Sequence, residues 1–369
     1  RSLSSAASDV YKRQVPDEVL FRLSEERGLN PEMAISIANL SGWPELQVRV
    51  GFAADMASRN AERTKAAAKE KSRADIFPSH EFPQTSMDYY DDNSKTSFKA
   101  TALGCNPLSD SQISLLELST EVEVTPTHYV VLDRTLFYPE GGGQLGDQGK
   151  IGKSRVVDTR IEGDVIFHLT DSEVSLGKVS GEVSWERRSQ LMDHHTAVHI
   201  VGGSSRALLG PHIWQAGSSK GFRHARIDLT HHSRLSREEL DRIEDHANSI
   251  VEANIPVEKL MMHRAEADEE FGFEIYQGGP PKQPEIRVMR IGNHDTQACG
   301  GTHHDSTGQI GEIRIIRSSQ VQDGVERLQI VAGGTAREHA REQERLLNES
   351  SEVLGAVSYT HLRAHETHE

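Results

Sequence analysis

The sequence predicts an α+β protein in which a helical N-terminal segment leads into a small β-barrel and then into a mixed α/β domain. Three observations predict it. Up to about Lys71 the chain reads as helix, from His128 to Trp185 apolar residues recur with a period of two, and beyond Trp185 helical and extended patterns alternate.

The helical segment begins with "PDEVLFRLSEERG", which has an acidic first turn and a glycine stop, and continues in "FAADMASRNAERTKAAAKEKSR", rich in Ala, Lys, Arg and Glu. The second stretch has little apolar surface, so it is expected to lie along something else. The polar, irregular stretch "FPSHEFPQTSMDYYDDNSKTS", with Pro78 and Pro83, marks a linker. The barrel follows. "HYVVLDRTLFY" (128–138), "SRVVDTRI" (154–161), "DVIFHL" (164–169) and "KVSGEVSW" (178–185) read as short strands, the middle two joined through the tight turn "EGD".

Helix returns at "WERRSQLMDHHTAVHIVGGSSRALLG", where Leu191, His195, Val198 or His199, and Leu208 fall near one face. A firmer helix is "LSREELDRIEDHANSIVEANIP". Ser236 and Glu239 form a capping box, Leu240, Ile243, Ala247, Ile250 and Val251 make an apolar stripe, and Pro256 marks the exit. Three strands are expected in "EIRVMRIG", "IGEIRIIRSS" and "VERLQIVAGG", and a charged helix starts in "AREHAREQERLLNES" (336–350). There is no internal repeat.

The chain opens on Arg1 and reads as a fragment of 369 residues, long enough for two or three domains. Both ends, 1–14 and 357–369, resemble translated sequencing-adapter read-through and are set aside, which removes the His361 and His365 pair from consideration. A net charge of −15 argues against non-specific coating of nucleic acid. The basic clusters "KAAAKEKSR" and "SSKGFRHAR" either grip a few phosphates or are solvated faces. Two cysteines, Cys105 and Cys299, make no disulfide framework, and a reducing cytoplasm is the expected setting. No apolar run approaches the roughly 20 residues of a membrane span, so no membrane partner is expected.

Two short pairs carry chemistry. His195 and His199 stand four apart in a helical stretch, which puts both imidazoles on one face. Such a pair is weak alone in a chain with 19 histidines. Cys299 and His303 form a second pair in "ACGGTHHD", with Gly300 and Gly301 letting the chain fold tightly. Together His195, His199, Cys299 and His303 suit one Zn2+ per chain, since zinc takes borderline-soft donors in tetrahedral number. A zinc protease needs Glu where Thr196 stands, and a Cys-x-x-Cys redox pair has no second thiol. A Cys/His nucleophile stays open. His194 and His304 break the spacing and are expected to support the ligands or to lie at the surface.

"VVLDRTLFYPEGGGQLGDQG" (130–149) places Gly141, Gly142 and Gly143 in a turn ringed by Glu140, Gln144 and Asp147, which by itself fits a long hairpin loop. "FYPEGGGQ", then "HHTAVH", "WQAGS", "YQGG" and "CGGTHH" in that order resembles the editing half of the alanyl-tRNA synthetase family, particularly its archaeal form. The resemblance covers roughly Met87 to Gly334. Free-standing editing proteins and the editing domain of threonyl-tRNA synthetase share the two metal pairs, whereas the barrel motif and "CGGTH" favour the alanyl type. Where archaeal members often carry cysteine, this chain has His304.

The resemblance implies a division into 15–86, the helical tail of a tRNA-recognition region with its linker; 87–185, the barrel; 186–335, a zinc-containing editing domain; and 336–356, the start of a C-terminal arm through which any oligomer would form. It implies hydrolysis of Ser-tRNA(Ala) and Gly-tRNA(Ala), with the acceptor end of tRNA(Ala) as partner. ATP and Mg2+ would serve only an aminoacylation core, which the reading does not find here. A pocket separates alanine from glycine or serine by only about 10 to 200-fold, so a second, hydrolytic site is needed. Gln215, in "WQAGS", is the first candidate to read the serine hydroxyl. Thr196 and Thr302 are further candidates, although each could simply cap or pack. Four protein ligands would close the metal, so His303 is expected to bind more loosely, or the ion to position substrate only.

Overall fold

The computed structural model describes residues 14–27, 34, 35, 38, 46–49, 52, 76–277, 283–322 and 324–353. The expectations for the adapter-like ends (apart from Gln14) and for the second helical stretch beyond Phe52 lie outside the described residues. The first helix, α1 (Asp17–Arg27), begins with its acidic turn, as read.

Six strands follow the linker: β1 (Ser97–Pro107), β2 (His128–Leu132), β3 (Gly149–Ile151), β4 (Ser154–Glu162), β5 (Val165–Thr170) and β6 (Gly177–Val183). They close on themselves in the order β1-β2-β5-β4-β3-β6, which leaves no free edge. Alternation along β2 explains why the sheet is apolar on both sides. Val130 and Leu132 pack inward with Leu136, Phe137 and Ile151, whereas Tyr129 and Val131 pack outward with Phe77, Phe167 and Leu169. The outer cluster is covered by the connections around it, including Phe82, Leu118 and Val124, so the segment between Ile76 and Phe82 is a lid on the barrel rather than a free linker.

Two strands escaped the sequence reading. In β3 three residues are too few to show a period, and β1 alternates only in its middle. The strand expected over 128–138 is shorter. After Leu132 the chain leaves the barrel, and Arg134–Thr135 pairs in parallel with Ser86–Met87.

The long helix α3 (Trp185–Leu209) leads into the mixed domain. Next come β7 (Gln215–Lys220), β8 (Ala225–Thr230), α4 (Arg237–Glu252), β9 (Val257–His263), α5 (Arg264–Phe271), β10 (Glu285–Ile291), β11 (Asp295–Ala298), β12 (Ile313–Gln322), β13 (Val325–Ala332) and α6 (Gly334–Val353); α2 (Asp110–Leu115) lies earlier, between β1 and β2. One sheet runs β12-β13-β8-β7 and the other β9-β10-β11. The capping box of Ser236 and Glu239 opens α4 as expected, and Ile243, Ala247 and Val251 of its stripe are buried. β7, β8, β9, α5 and β11 were not read from the sequence.

The single apolar face expected of α3 is not what the fold uses. From Leu191 to Ser205 every residue of this helix is buried, because the helix runs through the middle of the domain. Ala197, Val198, Ile200 and Val201 pack with Ile227, Ile243, Met289 and Leu328 from the strands and helix around them. Its polar side chains are therefore paired. Arg188, fully buried, donates from Nε to both carboxylate oxygens of Asp147 at 3.0 and 2.9 Å, and from Nη1 to the Asn93 carbonyl at 3.1 Å. Asp147 also accepts from the Tyr138 N–H at 2.7 Å.

The glycine-rich stretch 141–147 is the other side of this joint. Gly143 has φ +79°, and a Cβ there would come 2.4 Å from the Ser218 carbonyl oxygen. That closeness lets Lys220 N–H donate to the Gly143 carbonyl at 2.7 Å and Leu145 N–H to the Lys220 carbonyl at 3.2 Å. The loop thus covers β7, an edge of its sheet. Lys220, in one of the two basic clusters, is buried rather than solvated, with Nζ on the Gly142 carbonyl and Ser218 Oγ at 2.9 and 2.8 Å. Arg226 of the same cluster pairs with Asp228 at 2.7 Å. Cys105 and Cys299 are both free thiols, and no helix among the described residues is long and apolar enough to cross a membrane.

Removing one partner of the buried pair strands the other charge. Asp147→Ala is expected to cost about 3–5 kcal/mol in urea unfolding. Glu342→Ala, which removes an exposed partner of Arg345, should leave the urea midpoint almost unchanged. Equal losses would deny the joint its role.

Candidate metal centre

The helical spacing of His195 and His199 does what it promised: their rings lie 5.4 Å apart at 23° to one another. Opposite them, the chain leaves β11 and turns through Cys299–His303. A Cβ on Gly301 would sit 2.0 Å from Cε1 of His195, so only glycine lets this turn approach the helix. One ligand atom from each of His195, His199, Cys299 and His303 falls within 4.8 Å of the others. Cys299 Sγ is 3.3 Å from Nε2 of both His195 and His303. The thiol thus meets His195 and His303 at equal distance.

The turn's carbonyls are drawn away from the centre. Arg287 Nη1 donates to the carbonyls of Cys299 and Gly301 at 3.1 and 2.6 Å, Tyr90 OH to that of Gly300 at 2.9 Å, and Asn93 Nδ2 to that of His303 at 3.1 Å. Each imidazole has a partner on its Nδ1 side. His195 meets Gln144 Oε1 at 2.7 Å, His199 meets Asp295 Oδ2 at 3.2 Å, and His303 meets Thr196 Oγ1 at 3.3 Å. Thr302 fixes the Gln144 amide, accepting from Nε2 at 2.9 Å and donating its N–H to Oε1 at 3.1 Å. With Gln144 Oε1 as acceptor, neutral His195 carries its proton on Nδ1 and turns a bare Nε2 inward; His199, with Asp295 at its Nδ1, presents a bare Nε2 only once its second proton has left.

Charge follows the packing. Burial pushes the Cys299 thiol up, but His195, His303 and His199 around it hold it well below 9. For His199, burial disfavours the imidazolium, and the Cys299 thiolate and the Asp295 carboxylate overcome it, raising the group to about 9. Burial dominates at His195, lowered to about 3, and at His303, also held well below its ordinary value. The metal-free centre therefore holds one imidazolium, His199, beside a thiolate, with His195 and His303 neutral. Burial also lowers the nearby Lys220 ammonium to about 8.

The other sequence candidates take different places. Thr196 and Thr302 are fully buried and bonded to His303 and Gln144, so they hold neighbours. Gln215 is half-buried, and its backbone N–H donates to Gln277 Oε1 at 3.2 Å. His194 is buried, with Nδ1 2.7 Å from the Gly221 carbonyl oxygen, and His304 is buried with Nε2 2.7 Å from Asp193 Oδ1. Sequence reasoning missed Gln144 as a partner of His195, and missed Asp295, Arg287, Gln277 and Lys220. Asp295, Gln297 and Cys299 alternate along an extended stretch, a signal that would have put the carboxylate on the side of the thiol. Asp295 also lines a cavity of about 660 Å³ with Arg206, Arg290, His294 and Thr296.

Comparison with known proteins agrees with the order of these motifs. A family model described as class II (A) tRNA synthetases matches residues 1–187. A second, the threonyl and alanyl tRNA synthetase second additional domain, matches residues 286–329, which contain the Cys299–His303 turn. The alanine-tRNA ligase of Methanopyrus kandleri is 41% identical over 367 residues, covering 96% of this chain and 38% of its own length. That of Halorubrum lacusprofundi is 37% identical over 347 residues, covering 92% and 35%, and that of Ignicoccus hospitalis 36% over 353 residues, covering 93% and 37%. The chain thus spans little more than a third of the length of the curated relatives it matches. The class II match takes in the helical segment and the barrel.

The thiols should differ in reactivity. Burial raises the Cys105 thiol, while the imidazoles keep Cys299 as thiolate. In metal-free protein near neutral pH, iodoacetamide followed by peptide mass spectrometry is expected to find Cys299 alkylated first. Faster labelling of Cys105 would contradict the charge distribution described.

Proposed function

The chain belongs to the alanyl-tRNA synthetase family, and on that footing we propose that it carries the family's hydrolytic editing activity, cleaving the ester of Ser-tRNA(Ala) and Gly-tRNA(Ala) with one Zn2+ held by His195, His199, Cys299 and His303. The observation that carries the reading is the convergence of two distant pairs whose imidazoles each already have an Nδ1 partner. The division into a helical segment to residue 86, a barrel over 87–185, an editing domain over 186–335 and an arm over 336–356 is part of the proposal. So are the tRNA(Ala) acceptor end as partner and a cytoplasmic setting. ATP-dependent charging, with Mg2+, is placed in the portions of the relatives outside the alignment.

Three imidazoles and a thiolate are the donor chemistry zinc takes, with the three histidines buried and Cys299 half-buried. When bound, the ion supplies a fixed positive charge that can orient substrate oxygen or nitrogen atoms. The protein does the rest. Gln144, Asp295 and Thr196 orient the ligands. Arg287, Tyr90 and Asn93 keep the turn's carbonyls from competing with the donors. Gln215, next to the buried Gln277, is proposed to read the serine hydroxyl, since a buried amide left unpaired penalises alanine. Four protein donors favour an ion that positions over one that activates water.

Two measurements test the reading. Incubated with Ser-tRNA(Ala) and Ala-tRNA(Ala), the protein is expected to deacylate the serine ester selectively. His195→Ala should abolish this, and Gln215→Ala should narrow the preference, both with folding retained by circular dichroism. Equal rates, or none, would leave only a tRNA-binding module stabilised by metal. In the second, binding must expel the His199 proton. Below about pH 9 that proton is present in the metal-free protein, so zinc affinity should rise with pH, by about tenfold per unit for one proton. Calorimetry in buffers of different ionisation enthalpy reads the release directly; an affinity that does not change between about pH 6 and about pH 8 would refute it.

A further inference from the structure

A second group of imidazoles meets at the far end of the β7–β8 hairpin, away from the cysteine turn. His212 follows α3, and His231 and His232 follow β8. One nitrogen from each lies within 4.8 Å of the others. His212 Nε2 and His231 Nδ1 are 2.9 Å apart with their rings stacked at 23°, and the His232 ring is 4.5 Å from that of His231 and 5.5 Å from that of His212. The backbone under them is pinned. Thr230 Oγ1 donates to the His212 carbonyl at 2.6 Å and accepts from Trp214 N–H at 2.8 Å, and Thr230 N–H donates to the Trp214 carbonyl at 2.8 Å. His231 N–H is held by the Gly324 carbonyl at 2.9 Å. His212 and His231 are therefore held at fixed backbone positions, and the three side chains converge from the loops that flank the hairpin.

We propose that His212, His231 and His232 form a second metal site, for a nickel- or copper-like divalent ion. Imidazole donors suit the later first-row metals and do not suit magnesium or calcium. Two nitrogens 2.9 Å apart, each about 2.1 Å from an ion, subtend close to a right angle, which fits tetragonal better than tetrahedral coordination. Burial lowers both His212 and His231, keeping them in the neutral form that ligates. The carboxylates of Glu239 and Glu326 act on His231, and buried Glu326 has one oxygen without a hydrogen-bond partner among the described residues, so the surroundings favour a cation. An ion here would cross-link the start of β7, where Gln215 lies, to the end of β8.

The test is Ni2+ titration of the full chain by calorimetry, comparing wild type with His212→Ala and His232→Ala. The Cys299 centre is followed separately through its thiolate-to-nickel charge-transfer band. Each variant is expected to lose one equivalent of binding, or to weaken it by roughly tenfold or more, with the charge-transfer band unchanged. Histidines elsewhere, including those near the C-terminus, are common to all three proteins and cancel. Isotherms that overlay would overturn the proposal. His232 is exposed, so His232→Ala keeps the fold and decides the question even if His212→Ala unfolds.

Discussion

Everything about the centre depends on how the barrel loop 141–147 is locked against α3. The helix is buried on all sides, yet along it stand Arg188, Gln190, Asp193, His194, His195 and His199, none of which can be buried without a partner. The loop supplies two of the partners, two helical turns apart: Asp147 for Arg188 and Gln144 for His195. Seven residues separate Arg188 from His195, which keeps both on the loop's side of the helix. The barrel is therefore not an independent spacer beside the mixed domain, for its loop supplies part of the wall of the candidate metal centre.

The same logic extends to the turn that brings Cys299. A tight turn exposes carbonyls, and free carbonyls beside a cation are rival ligands. Here donors from β10 and from the segment before the barrel, Arg287, Tyr90 and Asn93, take the carbonyls of Cys299, Gly300, Gly301 and His303. Arg287 is itself held over the Tyr90 ring at 5.2 Å. What remains facing inward is a thiolate and three imidazole nitrogens, a set chosen by what the surroundings have withdrawn as much as by what the four side chains are.

The four inner residues were legible because each pair is a local pattern: four apart on a helix, or four apart around glycines. The strands β4, β5, β6, β10 and β13 and the capped helix α4 were legible for the same reason, since their periods fit within a few residues. β3 was too short for a period, and β7 reads as a run of small polar residues. The partners were hidden by distance along the chain. Gln144 meets Thr302 across 158 positions and Asp295 meets His199 across 96, and no local rule reaches so far. Thr196 and Thr302 were candidates for the substrate pocket that could equally cap or pack, and their hydroxyls bond His303 and Gln144; a sequence cannot distinguish these roles, because either asks for a hydroxyl beside a ligand. Gln215 has the converse difficulty: its motif is recognisable, but the Gln277 side chain that its N–H meets lies 62 positions away.

The two glycine motifs, "GGGQ" and "CGGTH", are best understood as halves of one contact. A Cβ at Gly143 would strike the Ser218 carbonyl and lift the loop from β7; a Cβ at Gly301 would strike His195 and, at 3.0 Å, reach Gln144 Oε1 as well. Either change moves the same amide, and that amide fixes which nitrogen of His195 is bare. Thr302 closes the circuit, because its N–H and hydroxyl both engage Gln144 and its position follows from Gly301. The glycines thus act on chemistry without contributing a functional group: they set how closely two backbones approach, and that separation decides whether His195 presents a lone pair or a proton to the centre.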